Sequence, residues 1–169
     1  MTEQLPNYAE VSLERLATIC QAVVEQLRSN PEFQDLFEEP VGYHGFKKAR
    51  IPDLRLAEYL RSWGLRPDQL QVEIVLVEAD LSHEVHQHHQ SNAVVYILGQ
   101  EEGQSSPLEA QAYIEDSWVP IEVGQMLVIP AGTAHGFTVA EGGTLTFLSI
   151  QSPPIVRPDG KDDYYRLTE

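Results

Sequence analysis

Between Ser12 and Arg28 the apolar residues recur at Leu13, Leu16, Ile19, Cys20, Val23, Val24 and Leu27, the three-and-four spacing that lays a single stripe along a helix. Asn30-Pro31 ends it, since proline cannot continue a helical ladder. A second, shorter helical pattern runs from Asp53 through Leu54, Leu56, Ala57 and Leu60, with Pro52 before it and Gly64 placed to stop it. Pro40, Gly42 and Gly45 mark the stretch between the two as a loop. After Pro67 the texture changes to short segments rich in β-branched and aromatic residues, which predicts strands near 70–79, 92–99, 108–115, 118–123, 125–130, 134–140 and 144–151. Gly103, Asp116, Gly124, Pro130, Gly132, Gly142 and Gly143 punctuate them.

The pattern predicts a mainly β fold, a jelly roll or small barrel whose closure removes exposed edges, preceded by an α-helical N-terminal segment. It divides the chain into a helical extension over 1–66, a β-barrel over 67–152 and a tail over 153–169 that packs loosely on the barrel through Ile155, Tyr164 and Tyr165. The helices should lie outside the barrel, whose own pattern reads as self-sufficient.

Charge narrows the partners. With 26 acidic against 11 basic side chains and a formal charge of -15, a sequence-independent grip on nucleic acid or on an anionic membrane is excluded. The longest apolar runs, Ile74-Val75-Leu76-Val77 and Val94-Val95-Tyr96-Ile97-Leu98, fall well short of the roughly 18 residues of a membrane span. The first residues lack the basic and apolar regions of a secretory signal, and the lone Cys20 has no intrachain partner, so a cytoplasmic protein is expected. Cys20 reads as a small buried apolar residue.

The chemistry gathers around histidine. Of six histidines, His83, His86, His88 and His89 crowd into one short segment, and His135 sits in a Gly/Pro-bounded turn before a later strand. In an extended strand His86 and His88 share a face, so two imidazoles from one strand and one from a neighbour can converge on an ion. Three nitrogen ligands with open positions characterise a catalytic site rather than a structural one. His89 then faces the other way as an exposed or capping side chain. His83 lies in the preceding loop, and His44 reads as a plain loop histidine.

These residues carry a resemblance. Asp80-x5-His86-x-His88-x3-Asn92-x6-Gly99 followed by Gly124-x5-Pro130-x-Gly132-x2-His135-x3-Val139 resembles the two motifs of the cupin superfamily, G-x5-H-x-H-x3-4-E-x6-G and G-x5-P-x-G-x2-H-x3-N. The resemblance spans roughly residues 70–152 and implies a cupin-type jelly-roll β-barrel with a divalent metal held by His86, His88 and His135. Asp80, Asn92 and Val139 depart from the family pattern, and only Asn92, in place of glutamate, touches a ligand. As a fourth candidate ligand, Asn92 can coordinate weakly through its amide oxygen, hydrogen-bond a bound water or stand aside.

Cupins with three histidines and no acidic ligand include non-haem iron(II) dioxygenases. The reading is therefore a metal-binding cupin acting as a dioxygenase on a small-molecule substrate, with iron(II) expected and zinc, nickel or manganese as alternatives. The competing readings are a non-catalytic small-molecule-binding barrel and a metal-assisted isomerase or epimerase, which needs a glutamate or tyrosine base near the metal. Without a carboxylate ligand the ion keeps its full charge, which favours anionic substrates such as thiolate, enolate or carboxylate. A homodimer is expected by analogy with other cupins.

Six of the basic residues, Lys47, Lys48, Arg50, Arg55, Arg61 and Arg66, fall within twenty positions. They read as a solvated face, with a bidentate arginine grip on a substrate carboxylate as the sharper alternative. Tyr96 shares the parity of Asn92 and can either line the cavity or pack in the core.

Overall fold

Helix α1, Leu13–Ser29, forms where the apolar stripe places it. Ser12 caps it: its Oγ accepts the Arg15 N–H at 3.2 Å and its carbonyl accepts the Leu16 N–H at 2.9 Å. The computed structural model describes residues 11–29, 41–43, 46–50, 61–62, 64–65, 69–78, 85–99, 109–155 and 160–167. The helix expected over 53–60 lies outside the described residues. Its stop signal is visible, because Gly64 takes a φ of 73° and donates its N–H to the Arg61 carbonyl at 2.9 Å.

The strands are β1 (Val41–Tyr43), β2 (Phe46–Arg50), β3 (Gln71–Glu78), β4 (His86–Gln87), β5 (Asn92–Gly99), β6 (Ala110–Ile114), β7 (Ser117–Ile121), β8 (Met126–Ile129), β9 (His135–Val139), β10 (Thr144–Ser152) and β11 (Tyr165–Arg166). Every strand expected beyond Pro67 forms, with boundaries within two residues of the expected ones. They make a mainly β fold of two antiparallel sheets, ordered β1-β2-β3-β10-β5-β8 and β11-β4-β9-β6-β7. Between β6 and β7, Glu115 and Asp116 both take positive φ, 49° and 72°, the tight turn whose twist suits a two-residue hairpin.

The sequence reading needs correction at both ends. Within the stretch read as a loop, β1 pairs antiparallel with β2, and β2 extends the sheet beyond β3. The described residues before residue 67 are therefore part helix, part sheet. Edge pairing supplies the hydrogen bonds there, and local composition does not advertise it. The tail is not loose: β11 pairs with β4, and Ile155 and Asp163 are buried.

Nor is the sheet pattern self-sufficient. Alternation along β3, β5 and β10 sends Val72, Ile74, Val94, Tyr96, Leu148 and Ile150 to one face, where they pack on Leu16, Ile19, Cys20, Val23 and Val24 of α1. The opposite face, including Val75, Val95, Leu145 and Phe147, meets Ala112, Phe137 and Val139 of the second sheet. Each fully buried aliphatic side chain contributes roughly 1.5–3 kcal/mol, so α1 is part of what keeps the six-stranded sheet folded. Tyr96, 6% exposed, belongs to this helix-facing layer and not to the space between the sheets. Among the described residues no helix is long and apolar enough to cross a membrane.

Candidate metal centre

The space between the sheets is apolar except at one end. There His86 of β4 stands directly opposite His135 of β9 in the strand register, and His88 follows just beyond β4. One ligand nitrogen from each of the three lies within 4.8 Å of the other two. All three side chains are buried, with ring centroids separated by 5.0 Å (His86–His88), 4.3 Å (His86–His135) and 4.9 Å (His88–His135).

Backbone geometry holds the three together. The turn Pro130–Thr133 leads into β9, and Gly132, at a φ of 82°, turns its N–H onto the His88 carbonyl at 2.6 Å. A side chain at that position would be strained. Asn92 completes the turn from the other side, its Oδ1 accepting the Ala131 N–H at 2.9 Å. Asn92 is thereby absent from the cluster: Ala93 and Val95 line the cavity, and Asn92 has the opposite parity, shared with Val94 and Tyr96. Of the roles that the sequence leaves open to Asn92, this arrangement fits the one in which it stands aside from the histidines. On β5 the cavity-facing position that a carboxylate ligand would need is residue 93, where this chain has alanine.

The hydrogen bonds also set the tautomers. His88 Nδ1 meets the Asp163 carbonyl at 2.5 Å and His135 Nδ1 meets the Thr133 carbonyl at 2.9 Å. A carbonyl only accepts, so each Nδ1 carries the proton and each Nε2 keeps its lone pair, the form in which imidazole binds a metal. Burial pushes the His135 pKa down from 6.5 to about 4, with His88 adding to the shift and the Thr133 hydrogen bond opposing it. The donor set is thus neutral and buried, and it suits a divalent transition ion.

That depressed pKa has a measurable sign. Unfolded His135 protonates near 6.5 while the folded side chain resists down to about 4, so within this window the unfolded state binds the extra proton. The metal-free protein should keep its full stability above pH 6.5 and lose about 3 kcal/mol from this group by pH 4. Urea unfolding of the parent and of His135→Asn at both pH values checks it. Parallel pH dependences of the two proteins would refute the assignment.

The tail supplies the buttress. Burial alone would raise the Asp163 pKa, but the backbone N–H groups of Gln90, His89 and Ser91 overcome it and hold the carboxylate below its ordinary range. Oδ1 accepts from His89 at 2.8 Å, and Oδ2 from Gln90 at 2.9 Å and Ser91 at 2.8 Å. One residue therefore fixes the loop after His88 with its side chain and the His88 ring with its carbonyl. Tyr164 stacks on His86 at 4.2 Å with an interplanar angle of 22°. Asp163→Ala should weaken metal retention about 10–100-fold, the usual effect of losing a group that orients a ligand. Dialysis of the loaded variant against graded chelator measures it, and unchanged retention would leave Asp163 with a purely structural role.

The remaining histidines divide as the sequence reading has it, where they are described. His89 is exposed, stacks on Tyr165 at 3.7 Å and meets Gln87 Nε2 at 3.1 Å. His44 and His83 lie outside the described residues. Of the basic segment, Arg55 and Arg66 also lie outside them, Lys47, Lys48 and Arg50 belong to β2, and Arg61 is exposed.

Sequence reasoning missed the other wall of this cavity of about 50 Å³. Facing the histidines are Glu73 of β3 and Ser149 and Gln151 of β10, all buried. Glu73 stands opposite Ser149 in the strand register, and its Oε1 accepts from Gln71 Nε2 at 2.6 Å. Gln151 donates through Nε2 to Ser149 Oγ at 2.5 Å. The available signal was polar residues at cavity parity in strands that are otherwise apolar.

No protein-family model matches the sequence, and no curated protein matches it. Solved structures do match in fold. The polyketide cyclase RemF from Streptomyces resistomycificus is 17% identical over 78% of this chain and 77% of its own, with a TM-score of 0.52. A histidine variant of Streptomyces Pac13 with uridine is 14% identical over 78% and 86%, with a TM-score of 0.51. A sugar phosphate isomerase of the cupin superfamily from Silicibacter pomeroyi is 22% identical over 64% of this chain and 59% of its own, at a TM-score of 0.44. The likeness is one of fold: the chain has a cupin-type β-barrel fold.

Proposed function

We propose that this cupin-type barrel binds a divalent metal ion through His86, His88 and His135 and catalyses proton transfer beside a carbonyl group of a small molecule, with Glu73 as the base. The carrying observation is Glu73 itself, a carboxylate 2% exposed that lines the same cavity as the three buried imidazoles. Burying a carboxylate is costly, and one placed here supplies the base that a metal-assisted isomerase or epimerase requires. A divalent ion in the histidine cluster supplies a Lewis acid for the substrate oxygen.

The residues divide the work as follows. Glu73 takes a proton from the carbon next to the carbonyl, the C–H electron pair becomes a C=C bond, and the carbonyl π pair moves onto oxygen. Returning that proton to the opposite face of the same carbon completes an epimerisation; returning it to the former carbonyl carbon, while the proton of a hydroxyl on the first carbon passes to the carbonyl-derived oxygen, completes an isomerisation, with no change of oxidation state overall in either case. Gln71 holds Glu73 Oε1 at 2.6 Å and so fixes the base. Tyr164, Phe137 and Phe147 line the cavity and limit water.

A second reading, an iron(II) dioxygenase acting on a small anionic substrate, is favoured by the neutral three-histidine set. One experiment separates the two. Protein loaded with iron(II), manganese, nickel, zinc or cobalt is incubated in deuterium oxide with hydroxy-carbonyl compounds, and in an oxygen electrode with thiols, diketones and enols. Deuterium incorporation without oxygen uptake supports proton transfer; oxygen uptake without exchange moves the protein to the dioxygenase reading.

A further inference from the structure

One atom of the cavity wall points to the substrate's chemistry. Gln151 is 5% exposed and lines the cavity, and its amide is anchored at one end by Ser149. At the other end, Oε1 has no hydrogen-bond partner among the described residues. A buried amide oxygen left unmade is costly to the free protein, and the natural partner is a group that enters with a ligand. Resting on the metal-site reading above, we propose that Gln151, with Glu73 beside it on the same wall, is a hydroxyl-recognition subsite, so that the substrates are small hydroxy-carbonyl or hydroxy-carboxyl compounds. The metal-facing oxygen sits at the histidines and a neighbouring hydroxyl turns to the polar wall.

A hydroxyl fits this wall better than other small polar groups do. It donates to an amide oxygen or to a carboxylate and accepts from an amide N–H, so it satisfies Gln151 whichever way round the amide lies. An ammonium group meets the divalent ion's repulsion. A second carboxylate meets Glu73. The cavity of about 50 Å³ takes only the reacting end of a molecule, which places the recognised hydroxyl close to the metal-facing oxygen.

The test uses glycolate and acetate, which share a carboxylate and differ by one hydroxyl, titrated into cobalt-loaded full-length protein and followed by the visible cobalt spectrum. The parent should prefer glycolate about tenfold, the worth of one good hydrogen bond, and Gln151→Leu should bring the two probes to within about twofold while cobalt content and acetate affinity hold. Ser149→Ala, which frees the amide from its anchor, should lower the preference in the same direction and stands in if the leucine variant does not fold. A preference that persists in both variants is simple chelation at the metal and overturns the proposal, as does a parent that prefers neither probe or binds neither. A parent that takes up no cobalt sinks the metal reading and this inference with it; cobalt uptake without a glycolate preference sinks this inference alone.

Discussion

Glu73→Gln is expected to slow deuterium incorporation into a hydroxy-carbonyl probe by about 10²–10⁴-fold, the range for a positioned general base, while metal content stays at the parent level. The substitution keeps the shape of the side chain and an oxygen able to accept from Gln71, which now donates to Glu73 Oε1 at 2.6 Å. It removes the carboxylate and with it the capacity to take a proton. Glu73 lies outside the cluster of groups placed to share an ion, which comprises His86, His88 and His135 among the described residues. Elemental analysis of the purified variant therefore separates two failures. Loss of metal would make Glu73 a ligand, and unaltered exchange with full metal content would remove it from the chemistry. Removing a carboxylate from a buried wall can also raise stability, since its desolvation no longer opposes folding, and denaturant unfolding of the metal-free pair reads that separately.

What the sequence made legible follows from how each signal is written. The strands after Pro67 show period-two patterning and turn residues at their ends, which local sterics enforce. The histidine cluster was readable because His86 and His88 are two apart and His135 follows a Gly/Pro turn, a local motif on each of two strands. Glu73 was hidden by the same rule that revealed the strands. In Gln71-Val72-Glu73-Ile74 an alternating pattern reads as a half-exposed strand with Glu73 in water. Yet β3 is covered on one face by α1 and on the other by the second sheet, a tertiary fact with no local signature.

Asn92 shows the limit of motif spacing. The family pattern counts residues from His88, but which face a residue takes depends on strand parity. The chain here presents Ala93 and Val95 to the cavity while Asn92 binds the turn before His135. The tail was underestimated for a related reason. Asp163 and Tyr164 reach the site across more than seventy positions of sequence, and a polar stretch with two turn signals carries no mark of that contact.

The histidines carry the other large expected effect. Alanine at His86, His88 or His135 should each weaken metal binding by on the order of 10²-fold or more, whereas His89→Ala should leave it unchanged. Structural zinc sites with four ligands gain roughly 10–16 kcal/mol on binding, so the loss of one ligand costs about 3 kcal/mol. The three targets are buried, and His88 and His135 are held by Nδ1 hydrogen bonds that aim Nε2 into the cavity. His89 is exposed against Tyr165 on the outside of the same loop and serves as the internal control. Two readouts keep misfolding apart from ligand loss. Metal content after dialysis reports affinity, and the rise in unfolding midpoint on adding metal reports binding to the folded state alone. A variant that folds without metal and gains nothing from it has lost a ligand. Equal losses at His89 would mean that the loop after β4 is set one residue differently, putting His89 in the place assigned to His88. Full retention in all three buried variants would leave the cluster as a hydrogen-bonded remnant, with Glu73 and Gln151 facing no ion.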